Sequence, residues 1–311
     1  MRLKRIEMDG IRDGGALRID LAPAATVCVT GDAGSGKTTA LEAIAAARAA
    51  FLPGALELDA DAWRGKGRAG AFVELEWELD ELERVIAPRN DGTFVARWQP
   101  GGESTDVPAR MRERVASTRF HYFDASRLVA PASPFAAERA ASRPERTTDW
   151  MPSARKYDWV ERYLLARGDA GREETAARVE AQGVALASRD RSLFARAMER
   201  MCPAARLGRP VLREGARLAG FVRPDGTERS LAELTTGERM AVLFAATIEA
   251  AELEGALVLI DTPELGIHPS QHASFLAGIT ECVGSGSVIA ATTSAAILRA
   301  APRETVKVLN R

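Results

Sequence analysis

Lysine is scarce in this chain. Of 42 basic residues only five are lysines, Lys4, Lys37, Lys66, Lys156 and Lys307, so a lysine at a chemically demanding position is informative. Cysteine is scarcer. Cys28, Cys202 and Cys282 are odd in number, widely spaced and set among apolar residues, which argues against a disulfide framework or a zinc site and for buried thiols in a reducing cytoplasm. Histidine occurs three times, at His121, His268 and His272, and no cysteine or carboxylate completes a metal-ligand pattern beside them. A formal net charge of -1 gives no overall attraction to nucleic acid or to an anionic membrane, so DNA binding is possible only through a local patch. No apolar run approaches membrane-helix length, and "MRLKRIEMDG" lacks a signal-peptide core, so the expectation is a cytoplasmic protein without membrane insertion. No heptad pattern is sustained, which excludes a long coiled coil.

What is present is enough apolar residue, 46% of 311, to bury a substantial core. Alternation in "RLKRIEM" and "ALRID" predicts two surface strands, and "ATVCVT" at 25–30 a buried one, followed by a helix at 39–51. "GAFVELEWELD", "LERVIA" and "TFVARW" predict an antiparallel segment with a turn at "RNDG" (89–92). A polar helix near 107–117 and a strand at 119–124 come next, then a helical stretch to about 205. Its apolar stripes (Tyr157, Val160, Tyr163, Leu164; Leu193, Phe194, Ala197, Met198, Met201) are expected to pack on the body. The final third predicts a hairpin around Pro224-Asp225-Gly226, a long helix after "LTTGER", and the buried strand "ALVLID". A helix near 270–282, the strand "SVIAATT", a helix from Ser294 and the strand "TVKVL" complete the chain.

"GDAGSGKT" fits G-x-x-x-x-G-K-[ST] between a buried strand and a helix, which is the context that motif requires. Its glycines let successive backbone N–H groups turn toward phosphate oxygens, and the helix adds its positive N-terminus. Gly31, Asp32, Ala33, Gly34, Ser35, Gly36, Lys37, Thr38 and Thr39 are thus the expected phosphate and nucleotide contacts, with Lys37 on the β- and γ-phosphates and the Thr38 hydroxyl on magnesium. A second feature is the T-x-x-E capping box of "LTTGER": Thr235, Thr236, Gly237 and Glu238 open the long helix, and Gly237 allows an anion close to the backbone. A third is "LVLID", which delivers Asp261 as the partner of Thr38 at the metal.

"LTTGER" resembles the signature motif of ATP-binding-cassette ATPases, and "DTPELGIHP" is similar to the D-E-P-E-L-x-L-H-P segment of their non-transporter branch. The order of phosphate loop, signature turn and aspartate strand resembles the RecF, structural-maintenance-of-chromosomes (SMC) and overcoming-lysogenization type of head, over roughly the first 50 and last 110 residues. The resemblance implies an α/β P-loop NTPase fold: an ABC-ATPase head with a mixed sheet, an antiparallel β lobe and a helical insertion. The expected organisation is a single domain, 1–311, with its core at about 1–130 and 206–311 and the insertion at 131–205. It also implies two heads sandwiching Mg-ATP, the phosphate loop of one subunit facing the signature turn of the other, as a homodimer. Arg12 in "GIRDGG" resembles a basic residue near the nucleotide, Arg127 is placed to reach a phosphate or the opposite subunit or to pair with Asp124, and His268 matches a family residue.

Two departures stand out. The family's general-base glutamate is replaced by Thr262, and the switch histidine by Thr293; Glu264, past a proline, has its own counterpart in the family. Losing a general base removes about 10²–10⁴-fold in rate. The expected function is an ATP-binding, slowly or partner-dependently hydrolysing ATPase, with Lys37, Asp261, Glu264, Thr262 and Thr293 as its catalytic set. It would use ATP and Mg²⁺ and gate a protein effector or a nucleic-acid process such as phage defence or DNA repair. The alternatives are a catalytically degenerate nucleotide-binding scaffold for an effector and, with less in its favour, a transporter's motor subunit.

Overall fold

The computed structural model describes residues 1–12, 14–22, 25–53, 59–64, 70–85, 92–127, 156–168 and 192–309. In chain order the elements are β1 (Arg2–Asp9), β2 (Leu17–Asp20), β3 (Thr26–Thr30), α1 (Lys37–Ala50), α2 (Ala60–Trp63), β4 (Phe72–Glu78), α3 (Glu81–Arg84), β5 (Thr93–Trp98), α4 (Ala109–Ser117) and β6 (Phe120–Phe123). A helix α5 at 160–168 follows. The remainder is α6 (Leu193–Met201), β7 (Arg206–Leu207), β8 (Val211–Arg213), β9 (Ala216–Leu218), β10 (Gly220–Val222), β11 (Glu228–Ser230), α7 (Thr236–Ala250), β12 (Leu257–Asp261), α8 (His272–Val283), β13 (Ser287–Ala291), α9 (Ala295–Ala300) and β14 (Val306–Val308).

The chain divides into two compact units. The first comprises Met1–Ala125, Leu253–Pro263 and Val283–Arg311. It holds an antiparallel sheet in the order β2-β1-β4-β5 and a parallel sheet in the order β14-β3-β13-β12-β6. The central strands of the parallel sheet carry continuous apolar runs because both faces are covered: Val258, Leu259 and Ile260 of β12 and Val288, Ile289 and Ala290 of β13 are all buried. β1 and β4 instead interleave buried with half-buried residues, as expected where one face of a sheet is the better covered. α1 touches β4 and β5 of one sheet and β12 and β13 of the other. Its alanine-rich sequence permits that position, since Ala43, Ala45, Ala46 and Ala47 bury without needing width.

The second unit comprises Ser126–Glu252 and Glu264–Cys282. It contains the β11-β10-β7 sheet and the β8–β9 hairpin. The predicted turn at Pro224-Asp225-Gly226 joins β10 to β11, with Val222 opposite Glu228. α7 is its core helix: Met240 through Ile248 are buried, and Phe244 meets Phe275 of α8 edge-on at 5.5 Å. Burying Leu243, Phe244 and Ile248 each stabilises by about 1.5–3 kcal/mol relative to exposure.

Of the expected helical insertion, 131–155 and 169–191 lie outside the described residues, as do 89–91 of the "RNDG" turn. Of the described stripe residues Tyr157, Val160, Leu164, Phe194, Ala197, Met198 and Met201 are buried, while Tyr163 and Leu193 are half-buried. "LERVIA" is a correction. Residues Glu81–Arg84 form α3, because Asp80 accepts the Glu83 N–H and Glu83 accepts the Asp80 N–H in a capping box that outweighs the short alternation. Among the described residues no helix is long and apolar enough to cross a membrane.

Candidate functional site

Between β3 and α1 the chain makes the loop Gly31–Gly36, with Gly31, Gly34 and Gly36 at positive φ. The close fit is concentrated at Gly31 (φ 149°), where a Cβ would lie 2.5 Å from the Leu309 carbonyl oxygen and 2.6 Å from Ser35 Oγ. Asp32, Ala33, Gly34 and Thr38 are exposed, Thr39 is half-buried, and Ser35 is buried. The Lys37 ammonium donates to the carbonyls of Gly31 at 2.9 Å and Asp32 at 2.8 Å, so it lies across the loop. One residue on, Thr38 Oγ1 donates to Asp261 Oδ2 at 2.8 Å, joining the first turn of α1 to the end of β12.

β3, β13 and β12 are neighbours and parallel, so the residues after them share the C-terminal edge of the sheet, where α/β proteins place ligand sites. The Gly31–Gly36 loop, Asp261 and Thr293 all lie on that edge. Asp261 is buried. Thr262 has φ 52°, a left-handed conformation costing on the order of 1–3 kcal/mol for a non-glycine residue and least suited to a β-branched one. Its N–H donates to the Ala291 carbonyl at 2.8 Å and its hydroxyl to Asp261 Oδ1 at 3.3 Å. Thr293 is exposed between buried Thr292 and Ser294, and Ser294 caps α9.

In the second unit, α7 starts at the expected capping box. The Thr235 N–H donates to Glu238 Oε2 at 2.7 Å, and the Glu238 N–H to Thr235 Oγ1 at 3.3 Å. Arg223, on the loop after β10, clamps Glu238 Oε1 and Oε2 at 2.7 and 2.9 Å. Thr235 and Thr236 are exposed. Gly237 lies against the turn that contains Glu264, since a Cβ there would be 3.3 Å from the Gly266 carbonyl oxygen. His268 Nδ1 pairs with Ser270 Oγ at 2.8 Å and His272 Nε2 with the Ile267 carbonyl at 3.0 Å, so both histidines brace this turn.

No protein-family model and no curated protein sequence matches the chain. Solved structures do. An SMC head bound to the C-winged helix domain of ScpA aligns with TM-score 0.55 and 14% identity over 97% of this chain and 93% of that one. The SMC head domain from Thermotoga maritima aligns with TM-score 0.51 and 14% identity over 97% and 92%. A Pyrococcus furiosus SMC head with an extended coiled coil, bound to the C-terminal domain of ScpA, aligns with TM-score 0.57 and 14% identity over 96% and 92%. The chain shares the fold of these SMC head domains.

Within this SMC-head fold the oxygens of Thr38 and Asp261 are hard donors of the kind Mg²⁺ takes, and Gly31, Gly34 and Gly36 give the loop the positive-φ turns by which backbone N–H groups can face an anion. Arg12 lies near the loop through its own segment, as a Cβ on Gly36 would be 3.0 Å from Gly14 Cα. Its guanidinium is held by Glu42 Oε2 at 2.7 Å and the Ala62 carbonyl at 3.0 Å and sits 4.3 Å from the Trp63 ring centroid. Arg127 is 0% exposed and packs 5.3 Å from the Phe244 ring centroid, which is at odds with the expected reach to an opposite subunit and leaves the other expectations for it untouched. The Arg223–Glu238 clamp was not foreseen, because no local pattern links a residue after one strand to a helix cap across a hairpin.

Proposed function

We propose that the chain is an ATP-binding, slowly hydrolysing head that dimerises around Mg-ATP and gates a protein partner. The observation that carries this reading is the 2.8 Å bond from Thr38 to Asp261, which brings the phosphate loop to a carboxylate more than two hundred residues away. In this reading the backbone N–H groups of Gly31–Gly36 receive the phosphates, Lys37 supplies a compact charge, and Thr38 and Asp261 hold the metal. Bound magnesium would neutralise phosphate charge. The exposed hydroxyls of Thr235 and Thr236 and the N-terminus of α7 would meet the nucleotide of a second copy, so a two-fold dimer completes each site.

Slow turnover follows from Thr262 and Thr293, since neither hydroxyl accepts a proton as a carboxylate or imidazole does. The ScpA domains bound to two of the similar SMC heads support a protein partner as the recipient of the switch. The setting is the cytoplasm and the process phage defence or DNA maintenance, in keeping with the soluble branch that the motifs resemble. The domain organisation in this reading is one head, its core at about 1–130 and 206–311 and a helical insertion at 131–205. The scaffold reading gains from one observation: the Thr262 hydroxyl is engaged with Asp261 at 3.3 Å rather than turned toward a water site.

Light scattering of the purified protein without nucleotide, with Mg-ADP and with Mg-ATP, run beside phosphate release, tests the reading. Mass doubling with Mg-ATP and slow phosphate release, both lost in Lys37→Ala, are the expected results. A mass that ignores nucleotide while ATP still binds would put the scaffold in its place.

A further inference from the structure

Successive residues of an extended strand point to opposite faces, so the side chain after a strand-end aspartate normally cannot reach that aspartate's carboxylate. Residue 262 breaks the alternation. Its φ of 52° turns the chain at the end of β12, and the threonine hydroxyl returns to Asp261 Oδ1 at 3.3 Å. The backbone is tied at the same point by the Thr262 N–H to the Ala291 carbonyl of β13 at 2.8 Å. A β-branched residue is disfavoured in this conformation, and such outliers persist where surrounding contacts over-determine them.

The Asp261 carboxylate is consequently engaged at both oxygens, Oδ2 by Thr38 of α1 and Oδ1 by Thr262. The two hydroxyls grip it from different elements. We infer that Thr262 is a positioning residue for Asp261: it fixes the carboxylate toward magnesium and is no weak stand-in for a base. The inference rests on the reading of this edge as a Mg-nucleotide site. It also accounts for the residue type, because an ionised glutamate has no proton to donate, whereas a hydroxyl does. A glutamate here would set an acceptor against Asp261 where the threonine sets a donor. The site thereby gains a fixed metal ligand and loses a base.

The test measures ATP affinity by titration calorimetry, with Mg²⁺ and with chelator, for wild type, Thr262→Ser, Thr262→Val and Lys37→Ala. Wild type is expected to bind more tightly with Mg²⁺. Thr262→Val keeps shape and branching but has no hydroxyl, so it should lose roughly tenfold of that Mg²⁺ enhancement while binding in chelator is unchanged, as loss of a hydrogen bond to a charged group implies. Thr262→Ser should retain the enhancement. Thermal melting without nucleotide shows that both variants are folded at the titration temperature, so that a lost Mg²⁺ enhancement reports on positioning and not on unfolding. An undiminished Mg²⁺ enhancement in Thr262→Val, or a serine variant as impaired as the valine one, overturns the inference and leaves the nucleotide reading standing. Wild type that binds no ATP under either condition overturns both.

Discussion

The Tyr163 hydroxyl of α5 donates to Glu249 Oε1 near the end of α7 at 2.6 Å. The same carboxylate takes the Arg167 guanidinium and, at 2.8 Å, the backbone N–H of Phe194. One side chain therefore joins α5, the start of α6 and the helix whose other end is the Thr235–Glu238 capping box. α7 is buried along most of its length, so what holds its C-terminal end also holds the turn at Thr235.

Tyr163→Phe removes one neutral donor from this cluster and should destabilise the protein by about 1 kcal/mol at neutral pH in urea unfolding. Burial and then the Glu249 hydrogen bond push the Tyr163 phenol up from its usual value near 10. A group whose folded pKa is raised contributes stability that is complete below the unfolded pKa and is lost as pH rises through the folded one. The gap between wild type and Tyr163→Phe should hold up to about pH 10 and shrink above it. A gap that stays constant into strong alkali would mean that the phenol is not protected by this contact.

What could be read from the sequence was local. The β3–loop–α1 passage, the T-x-x-E cap at Thr235 and Glu238, and the apolar run into Asp261 each need only neighbouring residues, and each stands in the structure as expected. "LERVIA" was misread because a four-residue capping box and a short alternation compete within one window. The Glu249 cluster, the Arg223–Glu238 clamp and the turn at Thr262 were invisible for another reason. They depend on which residues tertiary structure brings together, and no spacing rule encodes a threonine at positive φ. Glu264 shows a related limit: the motif places it two residues after Thr262, yet it falls in the second compact unit.

Gly31 supplies a sharper test of the phosphate loop than the lysine does. A Cβ there would meet two oxygens closer than real contacts allow, whereas a Cβ at Gly226, also at positive φ, has nothing within 4 Å. Gly226→Ala should therefore cost about 1 kcal/mol from backbone strain alone. Gly31→Ala should cost more, on the order of 1–3 kcal/mol, and should also abolish ATP binding, because the loop must move away from the Leu309 carbonyl. Equal melting temperatures for the two variants would show that the loop has room the geometry denies.

Glu264 is the sole carboxylate in the sequence from Thr262 to Pro269. Its peptide carbonyl accepts the Ile267 N–H at 3.0 Å, Gly266 turns at φ 76°, and His272 holds the Ile267 carbonyl, so the turn that carries it is rigid. Glu264→Gln preserves size and hydrogen bonding but cannot take a proton. If Glu264 is the base of the proposed ATPase, phosphate release should fall by roughly a hundredfold or more while Mg-ATP binding is retained. Glu264→Gln releasing phosphate at the wild-type rate would instead assign the residual hydrolysis to water ordered by the Thr293 hydroxyl and the phosphate itself. Thr293→Val would then slow the reaction further, as expected of a site without any protein base.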